Sequence, residues 1–471
     1  MGKFTSKTDG ARTVSPDGYD LYSILVTLSN GNIADIKGLV NEIEIIESLQ
    51  QSSIQVIMRL YDGTNFLENS HLMGGEKVNI KIRRTANTDE PFYESRDQFD
   101  VEVYIAAITG HNNPKPGLQA YNLECISEHA MISNTKGLNR SFNGIIGQLV
   151  NNIFVNDLGL QPGIDFETEN ISDSTDQIKG IYPNLTPLEA LTWLTRNASN
   201  DGTPYFLYET IQEGLQFKSY NDMIKEPLYR SYNDATFYQS TPNTSAHYAE
   251  LQKKILNLSS DLNRSIYDSI GNGSYTSRLH TVDIGTKKYK QTQFVYNNTY
   301  KVDKNIPFSK NIQLDNKKIT EFTTNKEYFV SLNSKAFSKD MNYHKPATNS
   351  LLQKQSYYNN LSFMGLDIEI YGDFQICVGS KVGVIIPKPD KGEASGRKVT
   401  DKYIGGSYIV TSLSHLFSPT DYRCSVGLQK DSVGFDIDSD IELGKDNSKK
   451  GSNKTKRPRN VNNRRRKGIK R

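Results

Sequence analysis

Apolar and polar residues alternate along most of the first 130 positions. Ile54, Val56, Met58 and Leu60 fall on one face of Ser53–Asp62, the period of a half-buried strand. Val78, Ile80 and Ile82 repeat the pattern within Gly75–Ile82. Leu21–Leu28, Leu39–Ile46, Phe99–Ile108 and Leu118–Ile126 are further strand-like runs. Strands this short and evenly spaced predict a small barrel or sandwich.

The period then changes. Phe142, Ile145, Ile146, Leu149, Val150, Ile153 and Phe154 follow helical spacing, so a helix is expected from Ser141, with Gly159 beyond its end. Thr186-Pro187-Leu188-Glu189 reads as an N-cap, a first-turn proline and a capping box opening a second helix. The single tryptophan, Trp193, stands at helical spacing beside Leu191 and Leu194 and reads as core rather than as a ligand-stacking residue. Tyr205–Tyr220 predicts a hairpin turning at Glu213-Gly214. Residues 246–270 read as helical, through Leu251, Ile255, Leu258, Leu262 and Ile266, and so do Thr348–Leu361. Between these helices, residues 271–345 have no clear period. Strand patterns resume after Leu361.

The chain repeats itself. Gly75, Lys77 and Val78 match Gly379, Lys381 and Val382 at an offset of 304. Without a gap, Tyr104 matches Tyr408 and His111 matches His415, whereas Pro114 and Pro419 are one residue out of register. One module occurring twice is the physical reading, and the recurring residues are expected to determine the fold. The expected class is therefore α+β, mainly β, with two related small β-barrel (tube-type) modules and helical inserted and connecting regions. The boundaries are a flexible arm at 1–18, a first module at 19–127 and a helical insert at 128–203. A second module, split between 204–240 and 362–433, flanks a mixed region at 241–361, and a disordered basic tail occupies 434–471. Two similar modules per chain let a trimer present six similar units to a six-fold partner while matching a three-fold one.

Charge sharpens the picture at the end of the chain. Residues 445–471 hold 13 Lys/Arg against the single acid Asp446; subtracting this local +12 from the net +3 leaves −9 for the remainder. Arg464, Arg465, Arg466, Lys467, Lys470 and Arg471 are candidate contacts for a polyanion or an acidic partner. A solvated tail, an acidic protein partner and nucleic acid all remain open; with no Tyr or Phe there, a DNA contact would be electrostatic. Cys125, Cys377 and Cys424, far apart and odd in number, read as buried free thiols of a protein folding in a reducing cytoplasm. No apolar run is long enough for a membrane helix, and the N-terminal stretch has no apolar signal region.

Candidate chemistry is sparse. The seven histidines show no metal-ligand spacing, and there is no phosphate-cradling GxxxxGK loop or GxSxG elbow. No catalytic residue, cofactor or metal is expected. Glu42/Glu44 and Asp367/Glu369 alternate with isoleucines, so they read as the polar face of a sheet rather than a glycosidase pair. Lining a tube, such acids would limit sticking by passing DNA.

Ile54–Ile82, Leu185–Met223 and Gly379–Asp431 together resemble the baseplate hub subunits of contractile-tailed (T-even-type) bacteriophages. The resemblance covers roughly half the chain and rests on pattern and order. It implies a non-enzymatic homotrimer whose modules form a pseudo-six-fold ring. That ring would join a hexameric tail tube, or tube-initiator protein, to a trimeric central spike and line the DNA passage. Wedge and tape-measure proteins are further implied partners, and the location would be the virion baseplate after assembly in the host cytoplasm. A tail-associated cell-wall hydrolase and a nucleic-acid-binding virion protein acting through its tail are the alternatives.

Overall fold

The runs that alternate in sequence become β1 (Tyr19–Thr27), β2 (Ile33–Asp35), β3 (Val40–Ser48) and β4 (Gln55–Asp62), then β5 (Lys77–Arg84), β6 (Gln98–Lys115) and β7 (Leu118–Ile126). A short helix, α1 (Phe66–Ser70), follows β4. The structure is a computed structural model that describes residues 17–84, 97–174, 177–200, 202–234, 251–261, 266–296, 313–314, 316–318, 326–332, 345–361, 364–387, 401 and 403–431. The tail 434–471, with its candidate contacts Arg464, Arg465, Arg466, Lys467, Lys470 and Arg471, and all but the last two residues of the arm 1–18 lie outside them. The first unit is antiparallel in the order β1-β5-β6-β7-β4-β3. Val56, Met58 and Leu60 are buried on the inward face of β4, and Val78, Ile80 and Ile82 on that of β5. Fully burying such a side chain contributes about 1.5–3 kcal/mol. Between β1 and β3 no described ladder closes the barrel; there the Ile36 N–H donates to Ile24 O at 2.9 Å.

The insert contains α2 (Glu128–Asn134), β8 (Ser141–Ile145), α3 (Ile146–Asn152), β9 (Gln177–Ile181) and α4 (Pro187–Asn197). The helix expected from Ser141 begins only at Ile146, because Ser141–Ile145 pairs with Gln177–Ile181. The Thr186 capping box is complete: Glu189 N donates to Thr186 Oγ1 at 3.3 Å and Thr186 N to Glu189 Oε2 at 2.8 Å. Trp193 is not core: it is 40% exposed, edge-on to Phe142 with centroids 5.6 Å apart. The hairpin β10 (Tyr205–Thr210) and β11 (Gly214–Ser219) pairs only with itself in the strand ladders, and α5 (Tyr220–Lys225) follows. Its Tyr205, Leu207, Leu215 and Phe217 pack into the insert core, whereas Phe206 and Tyr208 reach the larger one.

The remaining elements are β12 (Arg230–Asp234), β13 (Lys254–Asp261), α6 (Ile266–Gly271), β14 (Thr276–Asp283), β15 (Lys288–Val295), β16 (Gln313–Leu314), β17 (Lys317–Lys318) and β18 (Glu327–Leu332). They continue with α7 (Lys345–Leu361), β19 (Met364–Tyr371), β20 (Lys381–Ile385), β21 (Gly406–Phe417) and β22 (Tyr422–Lys430). The helix expected over 246–270 is corrected to a strand at Lys254–Asp261 and a short helix at Ile266–Gly271. The ladder with β19 binds Ile255 and Leu258 as strand residues, and tertiary pairing overrides their helix-like spacing. Within 271–345, β15, β14 and β18 form a three-stranded sheet whose Leu279 and Phe294 pack with Leu352 of α7. The second unit is a closed ring of six strands, β21-β20-β12-β13-β19-β22, with β22 returning to β21. Of the 204–240 segment, β12 is the strand that enters this ring. The class is α+β, mainly β.

The two units share a plan, and the structure corrects its register. Gly75 and Gly379 both have positive φ, 90° and 86°, a region only glycine enters without strain. Their N–H groups donate to Ile105 O at 2.7 Å and Val410 O at 2.9 Å. Lys77/Lys381 and Val78/Val382 keep the 304 offset, but Val78 faces Val103 while Val382 faces Tyr408. The offset between β6 and β21 is therefore 305, and the bulges agree, at Ile105/Ala107 and Val410/Ser412. A one-residue slip moves a side chain to the other face of a sheet. Tyr104 is thus half-exposed, donating to Glu128 Oε1 at 3.1 Å, whereas Tyr408 is buried. Between Thr109 and Asn112 β6 bulges where β21 does not, so Gly110 and His111 share the place of His415; His111 is exposed and His415 is buried.

Candidate assembly interface

The two units meet edge to edge. β3 and β21 pair antiparallel from Ser48↔Ser412 to Ile43↔Phe417, and the Leu49 N–H extends the ladder to Thr411 O at 2.9 Å. Because β22 occupies one edge of β21, β20 and β3 must share the other: β20 takes Gly406–Ile409 and β3 takes Ser412–Phe417. On the outward face, Ser414 Oγ donates to Glu44 Oε1 at 2.9 Å. Behind the joint one apolar core runs through both units. Phe99 of the first packs on Phe374 and His415 of the second, with centroids at 4.8 and 5.0 Å. Tyr19 packs edge-on to Phe417 at 5.2 Å, and Arg84 Nη2 donates to Gly372 O at 2.8 Å.

Two carboxyl groups, Glu47 and Glu209, clasp the insert hairpin to this joint. Glu47 continues the inward series Ile43, Ile45 on β3 and is 1% exposed. Its Oε1 accepts from Ile211 N of the hairpin turn at 2.8 Å and its Oε2 from Val378 N before β20 at 3.1 Å. Burial pushes this carboxyl up to about 8, against two N–H donors that favour the ionised form, with Glu209 and Glu213 adding repulsion. Glu209 accepts from Ile54 N at 2.8 Å and from Ser127 Oγ, and His129 Nδ1 stands 3.7 Å away. Four segments distant in sequence are thus tied through two side chains. A third acid, Asp373, gathers β12: it accepts from Arg230 Nη1 at 2.6 Å, Tyr229 Oη at 3.0 Å and Tyr232 Oη at 3.2 Å.

Sequence reading missed Glu47, Glu209 and Asp373. The signal for Glu47 was there: an acid at an inward position of an alternating strand. For the other two, none exists without the tertiary partners. Of the residues singled out, Gly75, Val78, Gly379 and Val382 shape the β5 and β20 edges. Lys77 pairs with Glu102 at 2.6 Å, while Lys381 donates to Ile224 O at 3.1 Å. The acidic face is partly neutralised: Glu42 pairs with Arg59 at 3.2 Å and Glu369 with Arg423 at 2.7 Å, while Asp367 is exposed.

One arrangement has the elements of nucleophilic chemistry. Cys424 Sγ lies 3.3 Å from His415 Nδ1, which also meets Tyr422 Oη at 2.8 Å. Burial pushes the imidazole down to about 3 and the thiol up to about 12, so both are neutral at pH 7 and no thiolate forms. The pair is closed core. Among the described residues no group of three or more His, Cys, Asp or Glu is placed to hold a metal ion, and no helix is long and apolar enough to cross a membrane.

No known family model and no curated protein sequence matches the chain. Solved structures do. A tail protein from Neisseria meningitidis MC58 is 12% identical with a TM-score of 0.47, the match covering 88% of this chain and 97% of that one. The 43 kDa tail protein of prophage MuSo2 from Shewanella oneidensis is 9% identical with a TM-score of 0.49, covering 87% and 99%. An Escherichia coli component of the type VI secretion system, which exhibits structural similarity to the T4 bacteriophage tail proteins gp27 and gp5, is 10% identical with a TM-score of 0.39, covering 83% and 73%. Solved structures to which this chain is similar thus include two tail proteins, one of them from a prophage, and a component of a secretion system.

Proposed function

We propose that this chain is the structural hub subunit of a phage-tail baseplate. Three copies close into a pseudo-six-fold ring that joins a hexameric tail tube, or its initiator protein, to a trimeric central spike. The ring lines the DNA passage, contacts wedge and tape-measure proteins at its periphery, and resides in the virion after assembly in the host cytoplasm. The observation that carries this reading is the β3–β21 joint between two units built on one plan. A chain that already sets two such units side by side supplies one third of a six-unit ring, and identical copies extend it by symmetry.

Light scattering after size-exclusion chromatography tests it. A trimer, formed alone or on adding a trimeric spike protein, is the expected result; a stable monomer that degrades peptidoglycan would overturn it. The basic tail belongs to the same proposal as a contact for an acidic partner. Deleting 445–471 should weaken assembly at low salt more than at high salt, and no effect at either would make the tail a bystander.

A further inference from the structure

Each six-stranded unit offers two joining edges, and the chain uses only one of each kind. In the first unit β3 offers the edge away from β4, and in the second β21 receives it over Ser412–Phe417. The counterpart of β21 is β6, at an offset of 305. The counterpart of β3 is β13: Val40 faces Leu60 and Glu42 faces Arg59, as Ile255 faces Ile370 and Asn257 faces Glu369. Both ladders bulge at that step, which places β13 at an offset of 215 from β3. Among the described residues the matching stretches are left open. On its side away from β19, β13 pairs with β12 only at Lys254 and Ile255. Past Ile105, β6 has β7 on one edge and no described strand on the other. Ser259, Ser260 and Gly110–Lys115 are exposed.

Open strand edges are templates for pairing, and a protein must cover them or risk aggregation. We infer that β6 of one copy pairs antiparallel with β13 of the next, reproducing between chains the joint that β3 and β21 make within one. Carrying the offsets through Ser414↔Ile46 sets Thr109 opposite Asp261; β6 has an extra residue between Thr109 and Asn112, so Leu416↔Glu44 sets Asn112 opposite Ser259. Gly110 and His111 together then face Ser260, as His415 faces Ile45. The occupant is a second copy because β13 carries the ladder and bulge that β3 uses, on the unit that lacks a receiving partner. The contact is head-to-tail, so it closes into a ring when the rotation permits. The inference rests on the hub reading and specifies its interface.

A paired-cysteine variant of the full chain tests it. Directly opposed antiparallel residues have Cα atoms about 4.5–5.5 Å apart, within disulfide reach. Asn112→Cys with Ser259→Cys changes two exposed side chains, and the native thiols Cys125, Cys377 and Cys424 are buried. Mild oxidation of the double variant should give covalent dimer and trimer on a non-reducing gel, reversed by reductant, while each single variant stays a monomer on the gel. A trimer by light scattering with no cross-link would overturn the edge pairing and leave the hub reading intact. A monomer at every concentration, alone and with a spike protein, would overturn both.

Discussion

Glu47 reaches two backbone N–H groups from two other parts of the chain while fully buried, and its ionisation is therefore coupled to folding. Its carboxyl rises from an ordinary 4.5 to about 8 in the fold. A group whose folded value is raised contributes stability that is complete below 4.5 and lost as pH climbs through 8. Each pH unit in that window is worth about 1.4 kcal/mol, and between pH 7 and pH 9 the loss is likewise about 1.4 kcal/mol, because the folded group finishes ionising midway. Wild-type stability alone hides this. Lys430, buried and lowered to about 8, moves the other way: its depressed value penalises the fold at neutral pH, a penalty that fades as pH rises toward 10.5. Comparison with Glu47→Gln removes that background. The amide can accept only one of the two N–H groups, so at pH 7 the variant should be less stable by about 1–3 kcal/mol. At pH 9 the gap should shrink by about 1.4 kcal/mol, because only the wild type ionises. Urea midpoints followed by far-ultraviolet circular dichroism at both pH values measure the difference. A gap unchanged between pH 7 and pH 9 would refute the assignment of a buried, neutral Glu47.

Other side chains give simpler tests. Asp373→Ala strands Arg230, Tyr229 and Tyr232 and should cost about 3–5 kcal/mol, read as a lowered melting temperature. Thr186→Ala removes half the capping box and should cost about 1 kcal/mol by the same measurement. Gly379→Ala would strain a φ of 86° and set its Cβ 2.4 Å from Tyr208 Oη, so its melting temperature should fall further than that of Gly75→Ala, where nothing lies within 4 Å. Cys424 and Cys125, both pushed up to about 12 by burial, should resist a thiol reagent at pH 8 until the chain unfolds; rapid labelling of the native protein would contradict the closed core.

Alternation of apolar residues over Ser53–Asp62 and Gly75–Ile82 determined strands, inward faces and barrel class, because a half-buried strand needs a period of two however it is paired. The Thr186 cap and the Glu213-Gly214 turn were equally legible, since each is closed by residues within four positions. What tertiary structure decided was pairing. Lys254–Asp261 has helix-like spacing yet is a strand because β19 lies beside it, and Ser141–Ile145 is a strand because β9 does. The repeat was visible at Gly75 and Gly379, but its register was not: an ungapped comparison equated Tyr104 with Tyr408 and His111 with His415. The structural offset of 305 places Tyr104 and Tyr408 on different faces, and a bulge in β6 leaves His111 exposed where His415 is buried. Glu209 and Asp373 gain their roles from partners far off in sequence: Ile54 lies 155 residues from Glu209 and Tyr229 lies 144 from Asp373. Local sequence carries the shape of each strand; which edges meet depends on long-range hydrogen bonds and burial that no window of sequence contains.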